Sequence, residues 1–174
     1  MNEVPGLPLA RKILAAQPFS ALLGARLTAF GGGEAILELD IRDDLLQQYG
    51  HVHGGVLGYA ADDALTFAAG SMVDARLVTA GFTIDYLRPA KGDVLRAHAR
   101  VVRAGRTRVV CRCDLSTIEG EGAATLCAVA QGTIAVPAVP PTDQAGQGAG
   151  HATPPHPNRT DDPTGITHRI APNA

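Results

Sequence analysis

The chemistry of this sequence centres on a pair of acids inside its most apolar stretch. Asp62 and Asp63 follow HVHGGVLGYAA and precede ALTFAAG, so glycine, alanine and large apolar residues surround both carboxyl groups. Burying an unpaired carboxylate is costly, so such a residue is usually exposed, paired with a partner or retained for chemistry. A reactive carboxylate at this point would act as a nucleophile or as a general base towards water.

The element that carries these acids is predicted to be one long buried helix over residues 53–70. Apolar residues occur nearly all round it, and a helix without a polar face is a buried one. Its many glycines and alanines would let a sheet approach closely and curl around it.

The flanking segments predict a sheet that packs on this helix. One or two short helices are predicted for LPLARKILAAQPFSALLG. A hairpin that turns at its three glycines is predicted for ARLTAFGGGEAILELDIR. Four further strands follow the central helix, separated by the turn sequences PAKGD, RAGRT and EGEG. We therefore expect an α+β fold with one helix against one antiparallel sheet. The predicted helical stripe consists of Leu9, Ile13, Leu14, Leu22 and Leu23, and the predicted inner face of the hairpin of Ala35, Leu37 and Leu39.

Composition limits the function classes and the domain organisation. The 174 residues carry 15 Lys and Arg against 17 Asp and Glu, a net charge of −2 that makes nucleic acid an unexpected partner. No apolar run approaches the ~20 residues that cross a bilayer, and the first residues do not resemble a secretion signal, so we expect a cytoplasmic protein without membrane contact. Three cysteines without an export signal predict reduced thiols. We expect an N-terminal helical segment over residues 1–24, one domain over 25–136 and a disordered Pro/Gly-rich tail over 137–174.

Two motifs connect this pattern to a known family. HGGVLGYAADDA, preceded by YG and followed by VTAGFTIDYLRPAKGD, resembles the hotdog-fold acyl-CoA thioesterases of the phenylacetate-pathway (PaaI-like) type over about residues 20–136. The resemblance implies a hotdog fold, in which an antiparallel sheet wraps one long central helix. It also implies hydrolysis of an acyl-CoA without a cofactor, by a homo-oligomer that is a dimer or a tetramer.

The resemblance also implies roles for single residues. HGG opens the central helix, and the acid nine positions after its His is Asp62, not Asp63. Gln47 stands where the family commonly has Asn, and Thr79 matches the hydroxyl residue ten positions before the Pro of LRPA. The Gly54 N–H at the helix N-terminus is then the candidate donor to a developing oxyanion, since the helix dipole favours negative charge there.

Helix geometry keeps Gly54 and Asp62 of one subunit from acting on the same carbonyl. Gly54 and Asp62 are eight residues apart, about 12 Å along a straight helix, yet an oxyanion donor and an attacking group must both approach one carbonyl. A second copy of the helix would solve this. The resemblance implies the same arrangement, with Gln47 and Gly54 from one subunit and Asp62 and Thr79 from the other.

Further residues are candidates for substrate binding, each with a structural alternative. His53 and Gly55 stand beside the oxyanion donor, and His53 is more simply explained as a residue whose ring bonds the backbone. Arg88, Lys91 and Arg106 suit the phosphates of CoA or are ordinary solvated charge. H-x-H and C-x-C lack the spacing of a zinc site, so no metal is expected.

Two other functions remain open at this stage. A hotdog hydratase or dehydratase would use His51 or His53 as its base, and a non-catalytic acyl-CoA-binding module would have no need of Asp62. These motifs do not specify which acyl group is hydrolysed. Aromatic or medium-length chains would suit a pocket formed by aromatic residues, of which the candidates are Tyr59, Phe67, Phe82 and Tyr86.

Overall fold

The computed structural model describes residues 6–73 and 76–137, which lie in one compact unit, Met1–Pro140. Apart from Pro137, the tail predicted for residues 137–174 lies outside these residues. The elements are α1 (Leu7–Ala15), α2 (Pro18–Leu23), β1 (Arg26–Gly31), β2 (Glu34–Asp40), a short 3-10 turn (Asp43–Leu45), α3 (Gly54–Gly70), β3 (Val78–Tyr86), β4 (Val94–Ala104), β5 (Arg108–Ile118) and β6 (Thr125–Ala135).

The strands form one antiparallel sheet in the order β1-β2-β4-β5-β6-β3. One lateral row of paired residues runs from Leu37 through Ala97 and Leu115 to Ala128, and all four side chains are fully buried. Because side chains alternate between the faces of a strand, this row marks the face towards α3. Ala35, Leu37 and Leu39 share it, as predicted.

The central helix α3 packs against this concave face. Its buried positions include Ala60, Ala61, Ala64 and Ala68, which have no exposed surface and allow a close approach of the strands. A single long helix wrapped by an antiparallel sheet confirms the predicted α+β hotdog architecture. Among the described residues no helix has the length and apolarity needed to cross a membrane.

The N-terminal helices pack beside α3, with fewer core positions than predicted. Leu14 and Leu23 are buried, whereas Leu9, Ile13 and Leu22 are exposed. The predicted stripe was therefore wrong for these three residues, because each helix is short and turns only one side towards the core. All three cysteines are buried free thiols, and Cys111 and Cys113 share the inner face of β5 as predicted.

Strand β3 is one edge of the sheet and lies beside α3. It pairs with β6 on one side, from Val78 opposite Ala135 to Tyr86 opposite Ala128, and has no strand partner among the described residues on the other. Val78, Tyr86 and Leu87 are more than half exposed along or just after this edge. An unpaired edge presents backbone donors and acceptors to another chain.

Candidate active site

The half-buried carboxylate of Asp62 accepts a hydrogen bond from one threonine, which is itself bonded to a second. The Thr79 hydroxyl, near the start of β3, donates to Asp62 Oδ1 at 2.6 Å. The Thr66 hydroxyl lies 3.1 Å from that of Thr79. Because the single hydroxyl hydrogen of Thr79 is directed to Asp62, Thr66 is the donor of the second bond. We call Asp62, Thr66 and Thr79 the acid half-site.

Thr66 was missed by sequence reasoning, although a signal for it exists. It lies four residues after Asp62, and residues spaced by four on a helix are neighbours on one face. A hydroxyl residue at that spacing from a candidate carboxylate therefore shares its helix face and can bond the group that holds the carboxylate. Thr79 was identified only through the family pattern, since its contact with Asp62 joins a strand to a helix.

Asp63 points to a different part of the molecule. The Ser20 hydroxyl of α2 lies 3.2 Å from Asp63 Oδ2 and 2.7 Å from the Gln17 side-chain oxygen. Burial raises the pKa of the Asp63 carboxyl, and contacts with the Tyr59 and Ser20 hydroxyls oppose that rise. Although it lies near Asp63, the buried Tyr59 hydroxyl has no partner with hydrogen-bond geometry in the described part of the chain. The partner of Asp63 is thus a serine of the N-terminal helices rather than the backbone or an arginine.

The N-terminus of α3 offers one unused backbone donor. His53 is the N-cap, and its Nδ1 accepts from the Gly55 N–H at 2.9 Å. The Gly54 N–H has no acceptor among the described residues, while the Gly54 carbonyl accepts from the Tyr86 hydroxyl at 3.1 Å. Helix capping therefore occupies the Gly55 donor and leaves that of Gly54 for a ligand.

A cleft of about 480 Å³ opens in front of Gly54. Gln47 lines it, and both ends of its amide are engaged: the oxygen accepts from the Tyr49 N–H at 2.5 Å and the nitrogen lies 3.3 Å from His51 Nδ1. The amide nitrogen retains a second hydrogen, which is available to a ligand. The cleft also contains Arg88. We call Gln47 and Gly54 the donor half-site.

The three basic residues predicted to bind phosphate do not cluster within one chain. Arg88 lines the cleft of the donor half-site, and Lys91 lines a neighbouring hollow between the β3–β4 and β5–β6 connections. Arg106 lies in the β4–β5 turn, at the far end of the 11-residue β4. At ~3.3 Å per residue, roughly 33 Å of strand separates it from the Lys91 end. One subunit therefore offers Arg88 and Lys91 together, without Arg106.

The two half-sites are likewise separated within one chain. Gly54 and Asp62 belong to the same uninterrupted helix, so about 12 Å of helix axis separates them. The residues described contain no cluster of three or more His, Cys, Asp or Glu suited to a metal ion. The site offers a carboxylate, two hydroxyls, an amide and one backbone N–H, a set suited to hydrolysing an activated carbonyl compound.

Comparison with known proteins identifies the family of this chain. Residues 49–124 match the model of the thioesterase superfamily. A putative esterase of Halobacterium salinarum is 33% identical over 104 residues, which cover 56% of this chain and 68% of that protein. The chain belongs to the thioesterase superfamily. This thioesterase is PaaI-like and is a thioester hydrolase, as the motifs predicted.

Two further relatives agree with this assignment. The thioesterase is 34% identical over 85 residues to the acyl-coenzyme A thioesterase PaaI of Escherichia coli, covering 48% of this chain and 60% of that enzyme. A crystal structure of a thioesterase family protein from Silicibacter pomeroyi superposes with a TM-score of 0.69 at 30% identity, covering 72% of this chain and 93% of that one.

Proposed function

We propose that this thioesterase hydrolyses acyl-CoA across a dimer interface, with Asp62 as its reactive carboxylate and the Gly54 N–H as its oxyanion donor. The observation that carries the proposal is that α3 presents both a carboxylate bonded by β3 and a free backbone N–H at its N-terminus. The Thr79 hydroxyl orients the half-buried carboxylate of Asp62, and the Gly54 N–H, which no capping group occupies, lies at the cleft. General acid–base or nucleophilic chemistry needs the first, and stabilisation of an oxyanion needs the second.

The free edge of β3 supports the association that would join the two half-sites. Thr79 lies near one end of β3 and Tyr86, which bonds Gly54, lies at the other. If two β3 edges pair antiparallel about a twofold axis near Phe82, the middle residue, the Thr79 end of one copy lies beside the Tyr86 end of the other. An isologous interface makes each copy supply the acid half-site to its mate. Two identical composite sites result.

The reaction then follows from the groups of one composite site. The thioester oxygen accepts from the Gly54 N–H while the Gln47 amide orients the substrate. Asp62 of the second copy either attacks the carbonyl carbon to form an anhydride, which water then opens, or takes a proton from the water that attacks. In both routes the C–S bond breaks, the sulfur leaves as CoA thiolate and takes up a proton, and the acyl group leaves as the acid.

The same pairing would unite the three basic residues proposed to hold the phosphates of CoA. Arg108, beside Arg106, pairs with Ala135, which in turn pairs with Val78, so the Arg106 turn lies at the Val78 end of the sheet. Antiparallel pairing brings that end towards the Arg88 and Lys91 end of the second copy. Charge-assisted contacts with phosphate suit these side chains. His53 acts as the helix cap, and Gly55 leaves room for its ring, because a Cβ at this position would lie 3.0 Å from His53 Nδ1.

Release of CoA tests the proposed function directly. A panel of acyl-CoA esters is incubated with the wild type and with Asp62→Ala, and free CoA is followed with a thiol reagent. The proposal predicts turnover by the wild type and its loss in Asp62→Ala. Hydration of enoyl-CoA is followed in parallel, and hydration without CoA release would replace the proposal with a hydratase.

A further inference from the structure

A second cavity lies beside the acid half-site, along the C-terminal half of α3. It has a volume of about 320 Å³ and is lined by residues of α1, of the C-terminal half of α3, of β1 and of the segment before β3. Ala10, Gln17, Asp63, Gly70, Val73 and Arg76 also contribute to its lining. Its main apolar walls are the side chains of Ile13, Phe30, Phe67 and Leu77.

One residue belongs both to this cavity and to the acid half-site. The Thr66 hydroxyl lies in the cavity wall and bonds Thr79, which bonds Asp62. The cavity therefore adjoins the acid half-site at Thr66. A thioester has two arms at its carbonyl, and the cleft with Arg88, which the other copy supplies in the composite site, suits the charged CoA arm. The apolar cavity is left for the other arm.

We propose that this cavity binds the acyl group of the substrate, an uncharged apolar acyl group of medium length, and that Ile13 of α1 limits its size. The inference rests on the proposed function, since it assigns the acyl arm of the same reaction. The volume lies at the lower end of the ~300–1,000 Å³ range of small-molecule pockets, which excludes long fatty chains.

The side chains that line the cavity differ in how readily they can be substituted without disturbing the core. Phe30 and Phe67 form an edge-to-face pair with ring centroids 6.3 Å apart, and Phe67 is buried in the core. Ile13 is 47% exposed at the opposing wall, so a larger side chain there narrows the cavity without repacking the core. Leu9 lies one turn earlier on α1, is 51% exposed and does not line the cavity, which makes it a matched control.

The test is the chain-length profile of kcat/KM from acetyl-CoA to dodecanoyl-CoA. For the wild type, kcat/KM is expected to rise up to about fourfold per added methylene, the equivalent of ~0.8 kcal/mol, until the cavity is full. Ile13→Trp should lower kcat/KM at least tenfold for the best wild-type chain and less than twofold for the shortest chain hydrolysed. Ile13→Ala should move the optimum to longer chains, and Leu9→Trp should leave the profile unchanged.

Several outcomes would overturn the assignment. A uniform loss at every chain length in Ile13→Trp, or the same profile change in Leu9→Trp, would remove Ile13 from the acyl subsite. Failure of the proposed function looks different, because the wild type would then release no CoA from any ester. Calorimetric binding of decanoyl-CoA to Asp62→Ala, with and without Ile13→Trp, tests the cavity without turnover: equal affinities would contradict the inference.

Discussion

At the scale of single residues, two adjacent acids of one helix have different surroundings. Consecutive helical side chains diverge by about 100°, so Asp62 meets Thr79 of β3 while Asp63 meets Ser20 of α2. Asp62 keeps a half-buried position beside an open strand edge. Asp63 lies under the N-terminal helices, where burial raises its pKa. The two acids therefore have different environments, although the sequence around both is apolar.

Replacement of the two acids should separate their roles. Asp62→Asn is expected to lower kcat for acyl-CoA hydrolysis by about 10²- to 10⁴-fold, the usual contribution of acid–base catalysis, while Asp63→Asn retains kcat within tenfold. Steady-state kinetics on folded variants measures both. A loss below tenfold at Asp62, or a greater loss at Asp63 than at Asp62, would reject the assignment.

The Thr79 hydroxyl is expected to position Asp62 for catalysis. A hydrogen bond to a charged group is worth about 1.5–3 kcal/mol, so Thr79→Val should lower kcat roughly ten- to hundredfold with little change in KM. Thr79→Ser keeps the hydroxyl and should recover most of the rate. Thr28→Val, at an exposed position of β1 on the opposite edge of the sheet, is the control. Equal kcat values for Thr79→Val and the control would remove Thr79 from the site.

The raised pKa of Asp63 predicts a pH-dependent stability. The folded protein holds this proton more tightly than the unfolded chain, so stability falls as pH rises from the ordinary value of 3.8 through the raised pKa. Asp63→Asn removes that penalty and should raise Tm at pH 7.5, with a smaller gain near pH 4.5. Thermal unfolding at both values is the measurement, with exposed Asp43→Asn as control. A gain that grows on acidification would give the opposite sign.

At the scale of elements, periodicity was sufficient for the framework. The glycine- and alanine-rich run predicted a buried helix over residues 53–70, and α3 spans Gly54–Gly70. Alternation and turn residues predicted the hairpin and the four later strands. Contacts between distant elements were not predictable, because no local pattern encodes Ser20 beside Asp63 or Tyr86 beside Gly54. The roles of Asp62, Gly54, Gln47, Thr79 and the basic residues stay predictions.

The first helix offers a test of which leucine faces the core. Leu14 is 2% exposed whereas Leu9 is 51% exposed on the same helix. Leu14→Ala removes buried methyl groups and should cost about 2–4 kcal/mol of unfolding free energy, against less than ~0.5 kcal/mol for Leu9→Ala. Urea denaturation measures both. Similar losses for the two variants would mean that α1 packs with a different face.

At the scale of the whole molecule, each chain contains two incomplete half-sites at opposite ends of β3. The donor half-site lies at the N-terminus of α3 and the acid half-site two turns later, too far away to act on the same carbonyl. In the proposed dimer, an antiparallel pairing of two β3 edges would complete both at once. Catalysis would then depend on association, and a monomer would lack activity even with every residue intact.

Complementation between inactive variants tests this central claim most directly. Asp62→Ala and Gln47→Ala, each verified as folded, dimeric and inactive, are co-refolded in equal amounts. Random pairing gives half mixed dimers, and in each of these one site carries both lesions and the other carries none. The composite site therefore predicts recovery of about one quarter of wild-type CoA release. Persistent inactivity of mixed dimers, whose formation size exclusion and differential tagging establish, would contradict a site shared between subunits.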